Sequence, residues 1–121
     1  MTAFQRLPVL VIGGLGFIGS NLTRRLVSLG AGVSVLTPSR ERHAALVSEL
    51  ESHGVGIVEG DLRDHSLVSR LVAGQSVVFN LSGQSGALRS MEEPWSDLDV
   101  NCRGTLVLLD ALRRVNPGAK V

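Results

Sequence analysis

The 121-residue sequence contains one cysteine, Cys102, one lysine, Lys120, and no tyrosine. A single cysteine excludes an internal disulfide and a cysteine-rich metal site. It also makes the reducing cytoplasm the expected compartment. The three histidines, at positions 43, 53 and 65, lack the mutual spacing of metal ligands, so we expect no metal site.

A strong net charge and a long apolar run are missing as well. The formal net charge is +1, so we expect neither nucleic acid nor a membrane surface as a partner. The first apolar run is too short to span a bilayer and is broken by glycines, which predicts no transmembrane segment and no signal peptide. With 44% hydrophobic and 19% charged residues, the chain has the composition of one globular domain over residues 1–121.

Apolar runs alternate with helical periodicity along the whole chain. Strands are predicted at 7–12, 33–36, 55–59 and 76–81, and helices at 17–29, 38–52, 66–73 and 95–115. Residues 119–121 resemble the beginning of a fifth strand. Alternating strands and helices predict a three-layer α/β domain with a parallel sheet of four to five strands.

The segment 10–22, LVIGGLGFIGSNL, combines a buried strand, a glycine loop and a helix start. Gly13, Gly16 and Gly19 fit G-x-x-G-x-x-G, and Gly14 with the last two fits G-x-G-x-x-G. Such glycines permit a sharp turn, close approach of a pyrophosphate and tight packing of helix on strand. The alternative is a purely structural turn. The absence of G-K-[ST] argues against a nucleoside-triphosphate hydrolase.

The end of the second predicted strand should indicate which dinucleotide is bound. Thr37 stands where an acidic residue would bind the ribose hydroxyls of NAD. Neutral Thr37 and Ser39, with Arg40 or Arg42 nearby, could hold the 2′-phosphate of NADP instead. The alternative is that both arginines are solvated helix residues. The expected cofactor is therefore NAD or NADP, with NADP slightly favoured.

Four motifs occur in a fixed order: GGLGFIGSNL, then GDLRD at 60–64, VVFNLSGQSG at 77–86 and DVNCRGTLVLLDALR at 99–113. Together they resemble the N-terminal part of an extended short-chain dehydrogenase/reductase of the NAD-dependent epimerase/dehydratase family, which includes sugar-nucleotide 4-epimerases and 4,6-dehydratases. The resemblance implies a Rossmann-type domain that ends before the catalytic half of the family fold.

The resemblance also implies roles for individual residues. The pyrophosphate would be held by the three motif glycines and the backbone of Phe17 and Ile18. Asp61 would accept from the exocyclic amine of adenine, and Leu62 would pack on the ring. Alternatively, Asp61 caps the turn that follows it.

At the other end of the site, Leu81, Ser82 and Gly83 would line the path towards the nicotinamide, where the family usually has Leu-Ala-Ala. Gln84 and Ser85 would begin the substrate side. Asn101 would lie near the cofactor, or would instead satisfy buried backbone groups.

The family's proton transfer uses a Tyr-x-x-x-Lys pair that this sequence lacks. We therefore expect no catalytic residue and no turnover by this chain, with a nucleotide-sugar substrate only in a longer parent protein. The alternative is a non-catalytic dinucleotide-binding or sensor module. The ending inside an apparent strand suggests a fragment with an open sheet edge, which predicts self-association.

Overall fold

A computed structural model describes residues 1–84 and 86–121. Its four strands form one parallel sheet in the order β3-β2-β1-β4. The strands are β1 (Pro8–Ile12), β2 (Gly32–Thr37), β3 (Gly56–Glu59) and β4 (Val77–Asn80). The predicted α/β fold with a parallel sheet is confirmed.

In the described residues, six α-helices connect and flank the strands. They are α1 (Phe17–Ser28), α2 (Ala44–Ser52), α3 (His65–Val72), α4 (Ala87–Glu92), α5 (Pro94–Leu98) and α6 (Gly104–Val115). A 3₁₀ turn (Glu41–His43) precedes α2, and a π turn (Asp99–Arg103) joins α5 to α6. The helix predicted from residue 38 thus begins later, because residues 38–40 form the connection that leaves β2.

Two further differences concern the region after β4. Helix α4 was not predicted, since its six residues are largely exposed and carry no buried apolar stripe. The helix predicted at 95–115 is present, but the π turn interrupts its α-helical geometry.

The sheet is covered on both faces because β1 is apolar at every position after its first. Val9 and Val11 belong to a core cluster on one face, and Leu10 and Ile12 to a second cluster on the other. This alternation is the period-two geometry of a strand that is buried on both sides. Three layers result, with α1 and α2 on one face and α3 and α6 on the other.

The predicted start of a fifth strand is present as one parallel bridge between Val77 and Lys120. The Lys120 amide donates to the Ser76 carbonyl oxygen at 3.0 Å, and the Val78 amide donates to the Lys120 carbonyl oxygen at 2.8 Å. β2 and β3 lie on one side of β1, and β4 lies on the other. The order in which the chain adds strands therefore reverses between β1 and β4. In such sheets ligands bind outside the carboxyl ends of the strands, where the strand order reverses.

Within the described part of the chain, none of the helices has the length and apolar character required to traverse a membrane.

Candidate functional site

A cleft of about 550 Å³ lies at the carboxyl ends of the four strands. The predicted site residues that line it are Gly13, Gly16, Thr37, Ser39, Asp61, Leu62, Leu81, Ser82 and Gly83. The loops after all four strands thus contribute to one cavity. Among the described residues, the predicted Phe17, Ile18, Gly19, Arg40 and Asn101 are not part of its lining.

The three motif glycines differ in what surrounds them. Gly13 has φ +79°, and a Cβ there would lie 2.8 Å from the Leu81 carbonyl oxygen. A Cβ on Gly19 would collide with the Gly13 carbonyl oxygen. The packing of the loop itself therefore requires glycine at 13 and 19. A Cβ on Gly16 would meet only that same oxygen, at an ordinary 3.5 Å, so the fold leaves this position open towards the cleft.

Helix α1 begins immediately after Gly16, with Phe17 as its first residue. The Ser20 amide donates to the Gly16 carbonyl oxygen at 2.8 Å, the first helical bond of α1. The amides of the preceding turn, including those of Phe17 and Ile18, have no partner within the helix. Amides in this position, with the helix dipole behind them, favour an anionic ligand.

At the end of β2, the buried Thr37 shapes the next turn rather than facing the cleft freely. Its hydroxyl donates to the Ser39 carbonyl oxygen at 3.2 Å and accepts from the Ser39 amide at 3.4 Å. The Arg40 guanidinium donates to the Ile57 carbonyl oxygen at 2.9 Å and pairs with Glu51. Arg42, the second arginine that the sequence offered, lines the cleft.

After β3, Asp61 lies on the cleft and pairs with Arg63. The two side chains approach to 2.6 Å, and Asp61 Oδ1 also accepts from the Arg63 amide at 2.8 Å. Hydrogen bonds from Arg63 lower the pKa of Asp61 and so favour its ionised form. Asp61 thus closes a local turn, as its alternative role implies, while Asp64 caps α3 by accepting from the Leu67 amide.

After β4, two asparagines hold the loop that lines the cleft. Asn80 Oδ1 accepts from the Ser82 hydroxyl at 2.6 Å and from its amide at 3.2 Å. Asn101 Oδ1 accepts from the Gln84 amide at 2.8 Å, and its Nδ2 donates to the Gln84 carbonyl oxygen and to Asp97. The alternative role of Asn101, satisfying backbone groups, is therefore observed. The expectation for Ser85 lies outside the described residues.

Sequence reasoning did not assign Asn80, Arg63 or Arg89 to the site, although the last two line the cleft. Asn80 could have been found, since an asparagine two residues before a serine at a strand end is typical of a side-chain-closed turn. Arg63 stands inside the GDLRD motif. Arg89 carried no signal because the helix that bears it was not predicted.

The whole of residues 9–121 matches the family described as NAD dependent epimerase/dehydratase family. Low-salt glycan biosynthesis protein Agl12 of Haloferax volcanii is 38% identical over 109 residues, which cover 87% of this chain and 35% of that protein. UDP-glucuronate 4-epimerase 1 of Arabidopsis thaliana is 36% identical over 120 residues, which cover 92% of this chain and 28% of that protein.

Solved structures agree in fold. WbmF of Bordetella bronchiseptica, in complex with NAD+, superposes with a TM-score of 0.83 at 29% identity, covering 95% of this chain and 34% of that one. UDP-glucose-4-epimerase of Stenotrophomonas maltophila, with bound NAD and formylated UDP-arabinopyranose, has a TM-score of 0.83 at 25% identity. The match covers 90% of this chain and 34% of that one. The chain spans about a third of the length of these relatives. By its match over residues 9–121, the chain belongs to the NAD dependent epimerase/dehydratase family.

Proposed function

We propose that residues 1–121 form the NAD(P)-binding Rossmann domain of a nucleotide-sugar epimerase or dehydratase. The observation that carries this proposal is the open backbone at Gly16, which faces the cleft next to the free amides of α1. A pyrophosphate fits there because neither a side chain nor a carboxylate of the loop competes for those amides.

The dinucleotide would extend in both directions from the pyrophosphate. Its adenosine half would lie over the ends of β2 and β3, beside Ser39, Asp61 and Leu62. Its nicotinamide half would lie along Ser82 and Gly83 after β4, which the two asparagines hold in place. The bound nicotinamide supplies hydride transfer. The residues of this chain bind and orient it.

Binding is tested by calorimetric titration of the purified chain with NAD+, NADH, NADP+ and NADPH. We expect one site per chain for at least one of these pairs. Heat changes indistinguishable from buffer dilution with all four would overturn the proposal.

We further propose that this chain by itself does not turn over nucleotide sugars, because it has no tyrosine to act as the acid/base group. The same absence favours a second candidate, a module that binds the dinucleotide without catalysis. Formation of an epimer or a keto-sugar from UDP-glucose, UDP-glucuronate or dTDP-glucose by the 121-residue chain would contradict both. A Tyr-x-x-x-Lys sequence encoded downstream in the parent gene would favour the enzyme.

The preference for NADP is a finer proposal, and it rests on Arg42. Arg42 and Ser39 both line the cleft, whereas Arg40 is engaged with Glu51 and the Ile57 carbonyl oxygen. We expect Arg42→Ala to weaken NADP+ binding about tenfold more than NAD+ binding, because it removes a charge-assisted hydrogen bond to the 2′-phosphate. Arg40→Ala is the matched control and should leave the ratio of the two affinities unchanged. An unchanged ratio in Arg42→Ala would refute the preference.

We also propose self-association, and besides the open sheet edge expected from the sequence, the helical segment from α5 to α6 offers a surface for it. Five exposed side chains, Trp95, Leu98, Cys102, Leu106 and Leu109, follow this helix. Trp95 and Leu109 are each seven positions from Cys102, and Leu98 and Leu106 are each four positions from it. An antiparallel pairing of two such helices about Cys102 would place each apolar side chain opposite another, as a two-fold interface requires.

A cytoplasmic location, based on the single cysteine, also remains a proposal.

A further inference from the structure

Arg63 joins the adenosine end of the cleft to the helix behind it. Its Nε and Nη2 bind the Asp61 carboxylate side-on, with Nη2 2.6 Å from Oδ2 and Nε 3.0 Å from Oδ1. Its Nη1 donates to Asp99 Oδ2 at 2.6 Å, in the π turn. One guanidinium therefore connects a residue that lines the cleft with a residue of a helix.

The geometry fixes a side chain that would otherwise rotate. About half of the Asp61 side chain is exposed, and only Arg63 groups bind its carboxylate among the described residues. Asp99 binds the other edge of the guanidinium, and this second contact opposes a rotation of Arg63 together with Asp61. The intervening Leu62 packs close to Gly104, where a Cβ would lie 3.2 Å from Leu62 Cδ2. The segment 61–63 is thus attached to the same helix at two points.

We propose that Arg63 is a positioning residue that aims the Asp61 carboxylate and thereby sets the preference for adenine over an oxo-purine. This inference rests on the proposed binding of a dinucleotide. An ionised carboxylate only accepts hydrogen bonds. It matches the exocyclic amine of adenine and repels the carbonyl oxygen that hypoxanthine carries at the same position. The preference requires a carboxylate in a fixed direction, because a rotating one can avoid the unfavourable contact.

The experiment compares NAD+ with nicotinamide hypoxanthine dinucleotide, in which a carbonyl oxygen replaces the exocyclic amine of the purine and the adjacent N1 carries a hydrogen. Calorimetry gives the ratio of the two dissociation constants for the wild-type chain and for Arg63→Gln. We expect the wild-type chain to prefer NAD+. In Arg63→Gln the ratio of the two dissociation constants should be about tenfold smaller, which corresponds to one hydrogen bond to a charged group. Asp61→Asn should lose a similar factor.

Two arginines supply matched controls. Arg103 pairs with Asp99 but not with Asp61, and Arg24 forms an exposed bidentate pair with Glu49 outside the cleft. Arg103→Gln and Arg24→Gln should keep the wild-type ratio. If the ionic contacts of Arg63 only stabilised the fold, their loss would weaken the binding of both dinucleotides equally. The ratio of the two dissociation constants would then stay unchanged.

The outcomes separate the two proposals. If the wild-type chain binds neither dinucleotide, the proposed function fails. If it binds both equally, or if a folded Arg63→Gln keeps the full preference for NAD+, the role of Arg63 is refuted while dinucleotide binding stands. Should Arg63→Gln lack the wild-type circular dichroism spectrum, Arg63→Lys serves instead. Its single ammonium cannot bind Asp61 side-on and reach Asp99, so the preference should again fall, and full retention would refute the inference.

Discussion

Gly16→Ala should separate ligand binding from folding at the glycine loop. Gly16 has φ −72° and ψ 179°, a conformation open to every amino acid. The added methyl group would meet only the Gly13 carbonyl oxygen, at 3.5 Å. The substitution therefore introduces neither backbone strain nor a steric clash within the described chain.

The expected change in stability is small because two effects oppose each other. Replacing glycine in a compatible conformation stabilises by about 0.4–1 kcal/mol through the unfolded chain. Alanine is a poorer residue than glycine before the first turn of α1, which costs about 1 kcal/mol or less. The free energy of unfolding should stay within about 1 kcal/mol of wild type. The added methyl group should keep the phosphate away from one backbone amide. Loss of that hydrogen bond should weaken NAD+ binding by about tenfold to a hundredfold.

Urea denaturation followed by circular dichroism measures the first quantity, and calorimetry with NAD+ measures the second. Gly118→Ala is the matched control, since a Cβ there meets no described atom within 4 Å and the residue lies outside the cleft. Gly13→Ala should destabilise the chain, because its φ is +79° and the Leu81 carbonyl oxygen is in the way. A Gly16→Ala chain that binds NAD+ like wild type would refute the pyrophosphate role.

Three further outcomes follow from the contacts described. Asn116→Ala should lower the free energy of unfolding by about 1–3 kcal/mol in urea titrations, because the Asn116 amide donates to two carbonyl oxygens between α3 and β4. Leu106→Glu should prevent self-association in sedimentation experiments, and copper-phenanthroline oxidation should link wild-type chains through Cys102; a monomeric wild type would refute the interface. Because Arg63 lowers the pKa of Asp61 in the folded state, this pair should stabilise the fold above about pH 4 and lose that effect as the pH falls further. The urea midpoint of Arg63→Gln should depend less on pH in that range.

The sequence predicted the layers of the fold because β1 is a continuous apolar run, whereas the apolar residues of α1 recur at intervals of three or four. It did not predict α4, because a helix of six residues is not stable by itself and depends on its tertiary surroundings. It also left Arg40 and Arg42 equivalent. A helix starting at residue 38 would have treated both as helix residues, whereas the 3₁₀ turn begins only at Glu41. Two positions along such a connection suffice to pair one arginine with Glu51 and to place the other among the residues that line the cleft.

Asn101 shows a different limit of sequence reasoning. Its position in a helix was predicted, and both of its roles remained open. Besides Asp97 on the same helical segment, its side-chain amide binds the backbone of Gln84, which lies 17 residues away in a loop whose path depends on Asn80 and Gly83. Local sequence cannot specify such a contact. It follows from tertiary packing, and here it assigns Asn101 to holding the loop of Gln84.

The π turn contacts the loops at both ends of the cleft. Asp99 and Asn101 are two residues apart within it, yet Asp99 binds Arg63 after β3 and Asn101 binds the Gln84 backbone after β4. A π turn contains one more residue than an α-helical turn and is frequent at functional sites. Residues two positions apart point to different sides of a helical segment, so these two side chains reach two different loops, which line the ends of the cleft proposed for adenosine and nicotinamide. The segment Asp99–Arg103 therefore contacts both loops.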